Sequence, residues 1–213
     1  IEVLHQEHTE DMEKFMAISG AHEAGAYLRT PSWVHFKNRA GWIVGLAAVG
    51  LISGLIIHRF EDTLTSLLIL ALYMPMVADT GGNTGSQSAT VVVRSLALGE
   101  LRPRDALRVL FKEFKISLLL ALVLGLLSYG KVLYLSQGTE LPLGFNLATV
   151  GLAIALALMA QVVTATLIGA MLPMIAARFK LDPAVVASPA LTTIVDVTGL
   201  LLYFATAQVI LGI

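Results

Sequence analysis

The chain contains no cysteine. That excludes a disulfide scaffold, a thiolate metal site and a cysteine nucleophile. Charge is also scarce. Asp, Glu, Lys and Arg make up 14% of the 213 residues, against about 25% in a soluble domain. The net charge of −1 leaves no basic surplus, which excludes a module that binds nucleic acid through phosphate contacts. The chain starts Ile1-Glu-Val-Leu-His5, with neither an initiating Met nor a basic leader. The start reads as a mid-protein one, with a soluble part expected upstream.

What fills the chain instead is apolar. Hydrophobic residues make up 56%, and the mean hydropathy is +0.80. Crossing a bilayer takes about 20 mostly apolar residues. Five runs qualify, at about 40–57, 64–98, 107–135, 147–177 and 184–211. Stretches such as Ile116 to Leu127 are apolar on every face, as in a membrane helix rather than the half-wet helix of a soluble core. The fold class expected is all-α, a polytopic membrane protein with five spans at 31–213. Residues 1–30 carry Leu4, Met12, Phe15, Met16 and Ile18 among six acids. They read as a preceding cytoplasmic amphipathic helix, punctuated by Gly20, Gly25 and Thr30-Pro31. Trp33, Phe36 and Trp42 beside Lys37 and Arg39 suit an interfacial anchor.

Lysines and arginines set the orientation. If the N-terminus is cytoplasmic, twelve of the 14 lie on the inner side and only Arg59 and Lys131 outside. The inner excess predicts a cytoplasmic N-terminus, and five spans then put the C-terminus outside.

Ionisable groups within spans are costly and usually functional. Asp196 lies near the middle of the fifth run and Asp79 within the second, and no basic residue shares their depth. A mobile cation could supply the missing counter-charge. The second run is 35 residues long, about 52 Å as a helix. It should therefore kink, unwind or protrude, at Pro75, Gly81, Gly82 or Gly85. If the helix holds, Asp79, Asn83, Ser86 and Thr90 share a stripe, with Gly82 beside it. Ser188, Thr192, Asp196, Gly199 and Tyr203 form a second stripe. Hard oxygen ligands favour Mg²⁺, with Mn²⁺ or Ca²⁺ as substitutes, over zinc or copper. The glycines and hydroxyls equally suit close helix packing. Asp182-Pro183 also reads as a helix cap, and Asp79-Thr80-Gly81 with Pro189-Ala190-Leu191 matches fragments of aspartyl protease motifs. The two aspartates lack the neighbours that intramembrane proteases place beside theirs, so that alternative is remote.

Pro75-Met-Val-Ala-Asp79-Thr-Gly-Gly-Asn83-Thr-Gly-Ser-Gln87, together with Asp182-Pro-Ala and Ser188-Pro-Ala-Leu-Thr-Thr-Ile-Val-Asp196, resembles the membrane domain of the MgtE magnesium transporters. The resemblance covers about residues 30–213. It implies a homodimer in the inner or plasma membrane, no enzymatic activity, and an ion path at the two-fold axis. The second and fifth spans would line that path, with Asp196 at the position that binds hydrated Mg²⁺. It further implies that residues 1–30 form the connecting, or plug, helix to upstream N and CBS domains. Asp182 would then help to hold a Mg²⁺-closed state, with Asp11 and Glu23 as further partners. The alternative reading is a Na⁺- or H⁺-coupled divalent metal carrier, with Asp79 as the coupling site.

Overall fold

The computed structural model describes residues 27–186 and 189–213. Among them the secondary structure is entirely helical. In chain order the elements are α1 (Ser32–Arg59), α2 (Glu61–Ser66), α3 (Leu68–Ala97), a 3-10 turn (Pro103–Asp105), α4 (Ala106–Leu135), α5 (Leu147–Arg178), α6 (Pro183–Val186) and α7 (Pro189–Leu211). The amphipathic segment expected before Pro31 lies almost wholly outside the described residues, as do Asp11, Glu23 and Ser188.

Among the described residues, four helical segments are long and apolar enough to cross a membrane: Ser32–Arg59, Pro103–Leu135, Leu147–Arg178 and Ala190–Leu211. The fifth expected span, α3, has the length at 30 residues but falls short in apolarity. Its middle is Asp79-Thr-Gly-Gly-Asn83-Thr-Gly-Ser-Gln87 rather than Leu and Val.

The long second run does not come apart where its glycines suggested. The helix is continuous from Leu68 to Ala97, through Pro75, Gly81, Gly82 and Gly85. The interruption falls earlier, at Leu67, whose φ of −131° and ψ of 75° separate α2 from α3. Tertiary contact outweighs the weak glycine propensity here, because a Cβ at Gly81 would overlap Gln161 and one at Gly85 would lie only 3.0 Å from the Ala165 carbonyl oxygen. α3 ends at Ala97, and just beyond it Gly99, with a φ of +70°, turns the chain away.

α5 is the central helix. It packs against α3, α4 and α7, while α3 also packs on α7. Its start is fixed by Asn146, whose Oδ1 accepts from the Thr149 N–H at 2.7 Å. The main core joins Leu70, Tyr73 and Val77 of α3 to Ile154, Leu158 and Val162 of α5 and to Leu200, Tyr203 and Phe204 of α7. Phe60 stacks on Phe204 with ring centroids 4.4 Å apart. The Tyr203 hydroxyl donates to the Leu70 carbonyl at 2.7 Å and ties α7 to α3.

The outer helices leave large apolar surfaces bare. α1 has no buried residue. It touches the bundle chiefly through α7, with Ile56 and Ile57 near its end against the core. On α4 one stripe is buried, Val109, Glu113, Ser117, Ala121, Gly125, Ser128 and Val132. Leu119, Leu122, Val123, Leu126 and Leu127 point outward, exposed. Lipid tails solvate such leucines as well as a protein interior does.

Candidate functional site

The unbroken α3 helix gathers five polar residues on one side. Asp79, Asn83, Gln87 and Thr90 are exposed, and Ser86 is half-buried beside them. Gly82 lies on this side too, where a Cβ would meet open space. Gly81, Gly85, Ser88 and Ala89 form the opposite, buried side. α7 runs alongside, and a Cβ at Gly85 would lie 3.5 Å from Val195 Cγ2. That contact sets Asp196, the next residue, close to the level of the Gly82–Ser86 turn. Asp196 and Thr192 are half-buried.

The hydroxyls on these helices donate inward. Thr90 Oγ1 donates to the Ser86 carbonyl at 2.8 Å, and Thr80 Oγ1 to the Met76 carbonyl at 2.7 Å. Thr84 and Thr198 also bond back to their own helices. Asn83 Nδ2 donates to Asp79 Oδ2 at 3.2 Å. The Asp79 carboxylate, the Thr90 hydroxyl and the Asn83 and Gln87 amide oxygens leave lone pairs open on this face, beside the remaining amide hydrogens of Asn83 and Gln87. Such a face accepts hydrogen bonds from water, including the outward-pointing hydrogens of a hydrated cation.

The other expected residues are placed differently. Gly199 is buried, and a Cβ there would strike Gln161. Asp182 is exposed in the turn before α6, and its Oδ1 accepts from the Ala184 N–H at 2.9 Å. That is the geometry of a helix cap. Asp79, Asp182 and Asp196 are not brought together. Among the described residues no group of three or more His, Asp or Glu stands ready to hold a metal ion. One protomer therefore offers scattered oxygen acceptors rather than a dry cage.

The sequence pattern of the MgtE family, described as a divalent cation transporter, matches residues 74–206. This chain belongs to the MgtE family. The magnesium transporter MgtE of Thermus thermophilus is 39% identical over 99% of the chain and 44% of its own length. That of Bacillus subtilis is 37% identical over 97% of the chain and 43% of its own length. The chain thus spans less than half the length of these curated relatives. Their names are those of transporters rather than enzymes, and the apolar helices of this MgtE chain suit that role.

Two polar residues of the MgtE chain escaped sequence reading. Gln161 of α5 is fully buried, and its Nε2 donates to the Val195 carbonyl at 2.9 Å. Glu113 of α4 is buried, and its Oε2 accepts from Ser88 Oγ of α3 at 2.8 Å. A signal existed for each. Gln161 is an amide inside an otherwise apolar run. Glu113 sits on the i, i+4 register of Val109 and Ser117, away from Lys112 and Lys115.

Proposed function

We propose that this chain is the pore-forming part of a magnesium transporter. The cargo is hydrated Mg²⁺, with Mn²⁺ or Ca²⁺ as substitutes. The path runs along the polar faces of α3 and α7, between two copies related by a two-fold axis. One observation carries this reading. Asp79, Asn83, Gln87 and Thr90 are exposed together on a helix within an apolar bundle. Lipid does not solvate such a face, so it belongs against water or a second subunit. α3 then counts as the fifth span. The positive-inside arrangement gives a cytoplasmic N-terminus and an external C-terminus in the cell membrane.

The chemistry fits Mg²⁺. This ion releases water reluctantly and prefers octahedral geometry at about 2.0–2.1 Å. A path of oxygen acceptors holds the intact hydrated ion through its waters, and two Asp196 carboxylates across the axis balance one divalent charge. Selection then rests on hydrated size and charge. Residues 1–30 act as the connecting helix to upstream N and CBS domains. Asp11, Glu23 and Asp182 take part in closure by cytoplasmic Mg²⁺.

The test is Mg²⁺ flux into liposomes for the wild-type chain and for Asp196→Asn, which keeps shape and removes charge. The variant is expected to assemble normally and lose divalent-over-monovalent selectivity about tenfold or more, equivalent to about 1.4 kcal/mol of ion discrimination. Unchanged selectivity would overturn the reading. Uptake that follows an imposed Na⁺ or proton gradient rather than the Mg²⁺ gradient would favour the coupled carrier.

A further inference from the structure

Gln161 is the one fully buried amide in the core of the described bundle, and two glycines make room for it. A Cβ on Gly81 of α3 would overlap its Nε2, Cγ and Cδ. A Cβ on Gly199 of α7 would sit against its Nε2 and Cδ, and 3.2 Å from Oε1. The amide therefore lies wedged among three helices, flat against two backbones. A leucine would fill similar volume with no polar group to satisfy.

What the amide does there is specific. Its Nε2 donates to the Val195 carbonyl at 2.9 Å. The Thr198 hydroxyl lies 3.1 Å from the same oxygen and 3.0 Å from the Ile194 carbonyl, so its one hydrogen is shared between them. The helix ladder asks that carbonyl to accept from the N–H of residue 199 as well. The Gln161 amide thus uses the lone pair that the ladder bond leaves free. The carbonyl that Gln161 holds belongs to the peptide joining Val195 to Asp196.

The other end of the amide is left unmet. Gln161 Oε1 is buried without a hydrogen-bond partner. Buried polar atoms are nearly always satisfied, and exceptions call for an explanation. The packing requirement alone does not supply one.

We propose that Gln161 is a positioning residue of the cation path. Through the Val195 carbonyl it fixes the backbone from which Asp196 projects, and so the depth and direction of that carboxylate. This rests on the reading of Asp196 as the cation-facing group. It adds that selectivity is set partly by a residue that never meets the ion.

A double-mutant cycle in liposomes tests it, using Mg²⁺ as the probe and Na⁺ as the competitor. Gln161→Leu keeps the volume and removes the donor. It is expected to assemble and to lower Mg²⁺-over-Na⁺ selectivity by about fivefold or more. Added to Asp196→Asn, it should change selectivity no further, because its effect passes through Asp196. Gly199→Ala should reproduce the Gln161→Leu effect by displacing the amide. A Gln161→Leu chain that is less heat-stable yet keeps wild-type selectivity overturns the proposal, leaving Gln161 as packing alone. So do additive losses in the double mutant. If Asp196→Asn itself has no effect, the reading of the path fails first. Should Gln161→Leu not assemble, Gln161→Met, unbranched and of near-equal length, takes its place. Failure of both to assemble also overturns the proposal, since the amide would then be holding the fold rather than tuning the path.

Discussion

Gly169 of α5 lies so near the backbone carbonyl of Gly85 in α3 that a Cβ at position 169 would run into the oxygen. The two helices cross there backbone to backbone. Such close approach is how membrane helices associate where lipid removes the hydrophobic drive between them. It also fixes α3, and with it the polar face, against the central helix. A backbone oxygen cannot turn aside. Gly169→Ala is therefore expected to destabilise by about 1–3 kcal/mol or more, as overpacking does. Gly125→Ala meets only the flexible Met159 side chain and should cost much less. Gly82→Ala, which meets open space, should leave thermal unfolding near wild type. Unfolding of the three purified variants in detergent checks this order. A Gly169→Ala chain as stable as Gly82→Ala would show that the crossing can slide apart at little cost.

The Ser88–Glu113 hydrogen bond spans α3 and α4. No ion pair forms to Glu113 among the described residues. A buried carboxylate without a cation is more costly than a neutral amide of the same shape. Gln at this position keeps an oxygen to accept from Ser88. Glu113→Gln is thus expected to preserve or raise stability, by up to about 1 kcal/mol. Glu113→Leu should lower it, since Ser88 then loses its partner. Thermal unfolding measures both, and Mg²⁺ flux of the Gln variant should match wild type. A flux that loses sensitivity to external Na⁺ or pH in Glu113→Gln would instead identify this carboxyl as a coupling site.

Assembly makes a geometric prediction. If α3 faces a second copy across the ion path, exposed positions on its polar side approach their symmetry mates. The chain has no cysteine, so a single introduced thiol reports alone. Asn83→Cys is expected to cross-link into dimers with long bismaleimide reagents in native membranes. Leu119→Cys, on the outward face of α4, should remain monomeric on the gel. The reverse pattern would move the dimer axis to the opposite side of the bundle.

Helix extents were legible in the sequence and helix faces were not. Runs at 107–135 and 147–177 correspond to Ala106–Leu135 and Leu147–Arg178, because length and apolarity suffice to mark a membrane helix. They do not tell lipid from protein interior, since leucine suits both. Adjacent glycines illustrate the limit. Gly81 is pressed on Gln161 while Gly82 looks into open space, and nothing local distinguishes them. Gly199 shares a sequence stripe with Asp196, yet it is buried against Gln161 of α5. The break at Leu67 has neither proline nor glycine to announce it. Asp79, Asn83 and Thr90 could be grouped beforehand because a helical period is fixed by geometry alone.

The last prediction concerns gating. Residues 1–30 hold six acids and two bases, and they precede the interfacial Trp33, Phe36 and Lys37. Trp33 and Phe36 stack with centroids 5.0 Å apart, and Lys37 Nζ lies 5.6 Å from the Trp33 ring. That arrangement suits a rigid entry into the membrane. In the proposed dimer, acidic segments of two subunits would repel each other in the absence of bound cations. Divalent ions would bridge them and draw the segments toward Asp182, on the side proposed as cytoplasmic. Moving a two-state gate from 1:99 to 99:1 takes about 5.5 kcal/mol of differential binding, which several bridged carboxylate pairs would share. Full-length relatives are therefore expected to close as cytoplasmic Mg²⁺ rises. The 213-residue chain alone should respond weakly, and should regain the response when joined to the upstream half of such a relative. Single-channel recording across a range of cytoplasmic Mg²⁺ separates the cases. A chain that closes alone with the full Mg²⁺ dependence would place the sensor within these residues, with Asp11, Glu23 and Asp182 as its first candidates.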